Sequence, residues 1–307
     1  MNAAAGGLAP DGWPLVLVRA LAVGGLLSAA GTLVFRTAIV PAALARMPAP
    51  ERVRVERALA RLAGASLAAI ACGLVFWSAI EAGTMAGTNT LSGRAAALPT
   101  VLGRTHFGHL VLVQAVLAAG AAGVLRYGEA GHRIAAAMAV ADAALQAGHG
   151  HAMAMSGPAS LLFGLDAVHL LAASCWAGCL LPLLLVVWLA PPRAGAAAAR
   201  SFSPLGKGCV VLLAGSALVQ GWVLVGSMRA LLTMTYGWVV LLKTALFGVL
   251  FGLAVLNRYR LAPALLSAEP DRARRRLIGS IAVQAATGLL AVLAAAVLSG
   301  LVPGMDM

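Results

Sequence analysis

Residues 162–190 read LFGLDAVHLLAASCWAGCLLPLLLVVWLA, a run with one charged side chain, Asp166, and one imidazole, His169. As a helix it is long enough to cross roughly 30 Å of hydrocarbon. Inside a bilayer every backbone N–H and C=O must find a partner within the chain, which a helix provides. Working outward, runs of the same character recur at 14–40, 62–83, 105–125, 133–150, 208–228, 236–257 and 277–301. The sequence therefore predicts an all-α polytopic membrane protein, a bundle of eight transmembrane helices.

Composition agrees. Of the 307 residues, 61% are hydrophobic and only 10% charged, with a mean hydropathy of +0.93. A soluble domain carries about 25% charged residues, so a soluble enzyme, a disordered chain and a disulfide-stapled secreted domain are excluded. Four cysteines show no CxxC spacing, and no zinc framework follows. No phosphate-binding or dinucleotide glycine pattern is present, and no catalytic motif is found. The N-terminus lacks a basic stretch ahead of its first apolar run, so no cleavable signal peptide is expected.

A net charge of +12 would suggest nucleic acid in a soluble chain. Here the basic residues report orientation. Loops after the first, third, fifth and seventh spans hold sixteen Lys and Arg, from Arg46 through Arg276; the opposite loops hold Arg94, Arg104 and Arg229. Basic loops mark the cytoplasmic side, so both termini are expected outside. The basic face would also attract anionic membrane lipid, and no nucleic-acid partner is expected. Segment 41–61 reads as a helical extension of the second span and 267–276 as one of the eighth. Two halves, 1–144 and 145–307, each begin outside. A parallel duplication fits that arrangement, although no residue-level repeat is visible.

With the basic side assigned, His106, His109, His149, His151 and His169 all fall at or near the outer face, and only His132 does not. Met85, Met153, Met155, Met228, Met234, Met305 and Met307 join them. The densest group is His149, His151, Met153 and Met155. Imidazole binds copper in either oxidation state, while thioether selects Cu(I); a flexible polar loop is the plainer reading. Asp166 and His169 share one helix face. Ionisable residues inside a span are costly and usually functional, although a structural polar pair would also place them there. His106 and His109 occupy one face where the third span begins, close to Glu81, as metal ligands or as interface hydrogen-bonders. Asp142, Gln146 and His149 form a polar stripe. Asp142 is positioned to pair with Lys243, as a buried ion pair, an ion path or a proton relay. Cys175 and Cys179, near Trp176, either pass Cu(I) inward or simply pack. Cys72 and Cys209 read as packing. Arg19 and Arg36 read as snorkelling side chains near the ends of the first span.

The run Asp166-Ala-Val-His169, continuing through Cys175-Trp176-Ala-Gly178 to Pro182, resembles the helix motif of the CopD copper-resistance family. The preceding Gly148-His149-Gly-His151 is similar to that family's short histidine segment. Downstream, Trp222, Gly226, Thr235-Tyr236-Gly237, Leu242-Lys243 and Asn257-Arg258 resemble its C-terminal region. The resemblance covers roughly residues 145–265, with the first four spans less diagnostic. It implies an inner-membrane protein of copper handling, usually copper uptake, working with a separate periplasmic CopC-like protein. It carries His149, Asp166, His169, Trp176 and Lys243 over as functional positions, but not Cys175 and Cys179, where the family has small residues.

The expected function is copper import at a periplasm-facing His/Met/Asp site, with His149, His151, Met153, Met155, Asp166, His169, His106 and His109 as ligands for Cu(I) or Cu(II). Asp142, Trp176, Cys175, Cys179 and Lys243 line the expected pathway. A membrane redox protein holding haem or copper is the alternative, as is a copper sensor or assembly scaffold that does not transport.

Overall fold

A computed structural model describes residues 12–45, 47–150 and 159–301. Among them there is no strand. The chain forms α1 (Gly12–Val34), a π-helical turn (Phe35–Ile39), α2 (Pro41–Leu44), α3 (Ala49–Ala86), α4 (Leu91–Arg104), α5 (His106–Val124) and α6 (Gly128–Leu145). A 3₁₀ turn (Gln146–His149) closes α6. Then come α7 (Ala159–Trp176), α8 (Leu180–Leu189), α9 (Pro192–Val225), α10 (Met228–Thr233), α11 (Thr235–Leu256), a second π-helical turn (Asn257–Leu261), α12 (Ala262–Ala264) and α13 (Pro270–Leu298).

Seven of these segments are long and apolar enough to span a membrane: Gly12–Ile39, Ala49–Ala86, His106–Val124, Leu161–Leu189, Pro192–Val225, Thr235–Ala264 and Pro270–Leu298. α6 fills the position of the expected fourth span. It falls outside this group, and its 18 residues carry Glu129, Arg133 and Asp142. The expected extension of the eighth span forms as α13 from Pro270, while that of the second forms only from Ala49, its first residues making the separate helix α2.

Two short helices lie where only loops were expected. Thr90 caps α4, its Oγ1 accepting from Gly93 N at 3.1 Å, and Ser227 caps α10 in the same way through Ala230 N. Such hydroxyl caps satisfy amides that the first turn leaves unpaired. α3 stops at Gly87, whose φ of 64° favours glycine.

The quoted run is not one helix. It breaks at residues 177–179, between α7 and α8. Ala177 N and Gly178 N both bond to Ala173 O, at 2.8 and 3.2 Å. Here α1 presses on the break. A Cβ at Gly178 would lie 2.0 Å from Leu27 O, and one at Gly31 would lie 2.2 Å from Gly178 C. Only glycines permit this backbone-to-backbone approach, the small-residue packing of membrane helices.

α1 packs on α3, α6, α7 and α13, while α11 packs mainly on α13. The start of α1 and the end of α13 meet: Arg19 Nη1 donates to Ser299 Oγ at 3.3 Å. Glu81 of α3 joins them through Arg19. This is the histidine end of the bundle. At the opposite, arginine-rich end, Arg274 Nε donates to Val187 O at 2.9 Å and ties α13 to α8.

Candidate functional site

At the histidine end the centre is His149. Gln114, fully buried in α5, donates from Nε2 to Gln146 Oε1 at 3.2 Å. Its oxygen is therefore turned to the imidazole, and accepts from His149 Nε2 at 2.9 Å. A proton held on Nε2 leaves the Nδ1 lone pair available as a ligand. Trp77 and Phe107 pack against the ring, with centroids 4.8 and 5.3 Å away, and against each other at 5.4 Å.

His149 stands in the wall between two cavities. The first, of about 180 Å³, gathers Arg19, His149, Asp166, Gln220, Tyr236 and Lys243. The second, of about 190 Å³, gathers Glu81, Met85, His106, Phe107 and His149. Arg19 and Trp77 line both. Arg19 does not snorkel as expected. Its Nη2 pairs with Glu81 Oε1 at 2.9 Å, Trp77 Nε1 donates to the same oxygen at 3.1 Å, and the guanidinium lies 5.4 Å from the Trp77 ring centre. The side chain stays inside because a carboxylate and an indole face meet it there.

His169 is held by the same logic from a different helix. Its Nδ1 donates to Ser216 Oγ at 2.9 Å, and the Ser216 hydroxyl donates onward to Leu212 O at 2.6 Å. The Nε2 lone pair is thereby left for a ligand. Asp166, one turn earlier, comes close to the His149 segment: a Cβ on Gly150 would sit 3.0 Å from Asp166 Oδ2. The absence of a side chain at Gly150 makes room for the carboxylate. Lys243 is the cation that acts on both Asp166 and His169.

Several expected partnerships are different. Asp142 does not pair with Lys243. α6 packs on α1, α5 and α7, whereas Lys243 sits on α11, across the bundle and facing Asp166. Asp142 lies beside Gln114, buried, and neither carboxylate oxygen has a hydrogen-bond partner among the described residues. His106 and His109 do not act together. His106 lines the second cavity, while His109 Nε2 turns back to Gly103 O at 3.1 Å across the α4–α5 junction.

The helix break falls between Cys175 and Cys179, and both stay in one packed cluster. The Cys179 thiol donates to Gly31 O at 3.3 Å, and Cys209, expected only to pack, lies beside Cys175 instead. Trp176 is buried edge-on against Phe247, with centroids 5.9 Å apart, and forms a wall rather than a lining. His151, Met153 and Met155 lie outside the described residues. Among the described residues no three His, Cys, Asp or Glu side chains converge as a metal-holding group.

Gln114, Trp77, Ser216 and Tyr236 escaped the sequence reading as site residues. Gln114 and Ser216 did leave a signal, as lone polar residues in apolar runs, where burial demands a partner. Which partner each takes depends on helix packing.

Residues 9–161 match the family model described as copper resistance protein D-like, N-terminal domain, and residues 196–298 match the one described as copper resistance protein D. The less diagnostic first spans are thus recognised in their own right, and the Asp166–Pro182 motif falls between the two matched segments. No curated protein and no solved structure matches the chain significantly.

Proposed function

The chain belongs to the copper resistance protein D family, a multi-pass membrane protein of copper resistance or homeostasis, and from this premise we propose that it imports copper across a bacterial inner membrane. The observation that carries the reading is His149. One imidazole, its Nε2 held by Gln114, looks into two cavities at once. A cation entering the second cavity meets His106, Met85 and His149. One passing that wall meets Asp166 and then His169.

Orientation follows from charge. The sequence reading assigns sixteen basic residues to one face of the membrane, which the positive-inside rule makes the cytoplasmic one. The histidine end then faces the periplasm. α1 starts and α13 finishes at that end, tied by Arg19 and Ser299. A chain that starts and finishes on one side crosses an even number of times. Seven apolar segments plus α6 supply eight crossings, with both described ends outside.

Copper is the cargo in this reading, and a separate periplasmic CopC-like protein delivers it. The His151, Met153 and Met155 group would serve first capture. Imidazole accepts Cu(I) and Cu(II), and thioether favours Cu(I). The deciding experiment is copper flux into proteoliposomes. His149→Ala and His169→Ala should each reduce flux by about tenfold or more, the scale of losing a ligand position. Flux unchanged in both variants removes the site.

A further inference from the structure

The Cys175 and Cys209 thiols, near the middle of the bundle, take no part in the histidine site described above. Two close approaches set the antiparallel register of α7 against α9: His169 bonds Ser216, and a Cβ at Gly206 would touch the Trp176 ring at 3.5 Å. Partners across that seam have residue numbers adding to about 385 at one end and 382 at the other. Cys175 and Cys209 add to 384, so the register puts them face to face. Both thiols are free. They sit against the cluster formed by Trp176, Cys179, Leu180 and Leu213.

Directly beside them is the α7–α8 break. The carbonyls of Ser174, Cys175 and Trp176 would normally accept from residues 178, 179 and 180. Gly178 N instead goes to Ala173 O, and Leu180 N to Ala177 O. Unwound carbonyls inside a membrane are tolerated where they face protein or a pathway, and they favour a cation nearby. A pair of sulfurs with electronegative carbonyls at one flank, in an otherwise apolar wall, suits a soft cation that accepts few ligands.

We propose that Cys175 and Cys209 form a two-sulfur site for a soft monovalent d¹⁰ cation, Cu(I) or Ag(I), between α7 and α9. Six residues separate Cys175 from His169, about 9 Å along the helix at 1.5 Å per residue. The site is thus the next station inward from the Asp166–His169 turn. The cation binds as one thiol gives its proton to water in the cavity above. One sulfur becomes a thiolate and the other remains a neutral donor. One charge enters and one leaves, so the apolar wall holds a unit with no net charge, which burial in hydrocarbon requires. Cys179 takes no part because its thiol is engaged with Gly31 O.

The inference rests on the copper reading only for the natural identity of the cation, and silver tests it separately. Purified full-length protein in detergent, reduced and anaerobic, is titrated with Ag(I) while the sulfur-to-metal ultraviolet absorption is followed; imidazole and thioether sites do not produce that band. Wild type, Cys72→Ser and Cys179→Ser should show a band that saturates at one equivalent. Cys175→Ser and Cys209→Ser should lose it, with that equivalent bound about tenfold or more weakly. X-ray absorption at the metal should count two short sulfur neighbours in wild type and one in either single variant. For a serine variant that does not remain monodisperse, the alanine variant of similar volume replaces it. A band that survives in Cys209→Ser, or that disappears equally in Cys179→Ser, overturns the site. His149→Ala should keep the band while losing flux. A band present in a protein that carries no copper flux overturns the import reading and leaves the thiol site standing.

Discussion

Replacing Gln114 by leucine tests whether an amide with no place at the cavity surface controls the metal site. Gln114 is fully buried and makes two side-chain bonds, accepting from His149 Nε2 at 2.9 Å and donating to Gln146 Oε1 at 3.2 Å. Leucine fills nearly the same volume and removes both. Each buried partner left alone costs about 1–3 kcal/mol, while the new apolar contacts offset part of the loss. The imidazole itself stays in place, since it packs in one aromatic cluster with Trp77 and Phe107, at 4.8 and 5.3 Å. What goes is the preference for a proton on Nε2, and with it the readiness of Nδ1 to ligate. Removing a histidine's outer hydrogen bond typically lowers metal affinity about 10–100-fold, which is about 1.4–2.7 kcal/mol. Competition with a calibrated Cu(I) chelator measures this directly. Gln114→Leu should fall in that range, and Gln114→Glu, which keeps an acceptor toward His149, should recover most of the loss. If Gln114→Leu binds Cu(I) within about twofold of wild type and transports at the same rate, the tautomer argument fails.

Three further substitutions probe the frame around the site, each read by thermal unfolding in detergent. Gly178→Ala places a methyl group 2.0 Å from Leu27 O and 2.4 Å from Ser174 O; because both are backbone atoms, the cost should exceed the usual overpacking of about 1–3 kcal/mol, and a normal melting temperature would show that α1 and the break are not so close. Glu81→Gln takes the charge from a carboxylate that Arg19 and Trp77 share at 2.9 and 3.1 Å, so the melting point should fall by the equivalent of about 1–3 kcal/mol; no change would mean the cluster is solvated. Asp142→Leu removes a buried carboxyl with two unpartnered oxygens and should stabilise the protein by about 1–3 kcal/mol, whereas a loss of stability would reveal a partner that Asp142 serves.

Much of the membrane framework was open to reading from order and composition. The spans depend on local hydropathy, and hydrocarbon imposes the same length and the same helical backbone on every crossing. α13 begins within three residues of its expected basic extension, while α3 starts eight residues later than its own. Short range also explains what was missed. The Thr90 and Ser227 caps act over three residues, but α4 and α10 carry no long apolar run to draw attention to them. The break at 177–179 was hidden inside a strongly apolar run, because its cause is α1 pressing on Gly178 from more than 140 residues away. No local pattern records that contact.

The candidate site divides along the same line. Residue chemistry and side of the membrane were accessible from the chain alone: His149, His106, Asp166 and His169 were singled out, and the structure brings His149 and Asp166 to one cavity and His106 and His149 to the next. Pairings were not. Asp142 and Lys243 looked matched by depth and charge, yet α6 and α11 occupy different sides of the bundle. Cys175 and Cys179 looked matched by spacing, yet the break turns Cys179 to Gly31 and the α7–α9 register brings Cys209 to Cys175. Sequence by itself determined what must lie in the membrane and which side carries the charge, because transfer free energy depends on each segment alone. Only the tertiary structure decided which nitrogen, carboxylate and thiol meet, because that depends on the rotation and register of helices packed against one another.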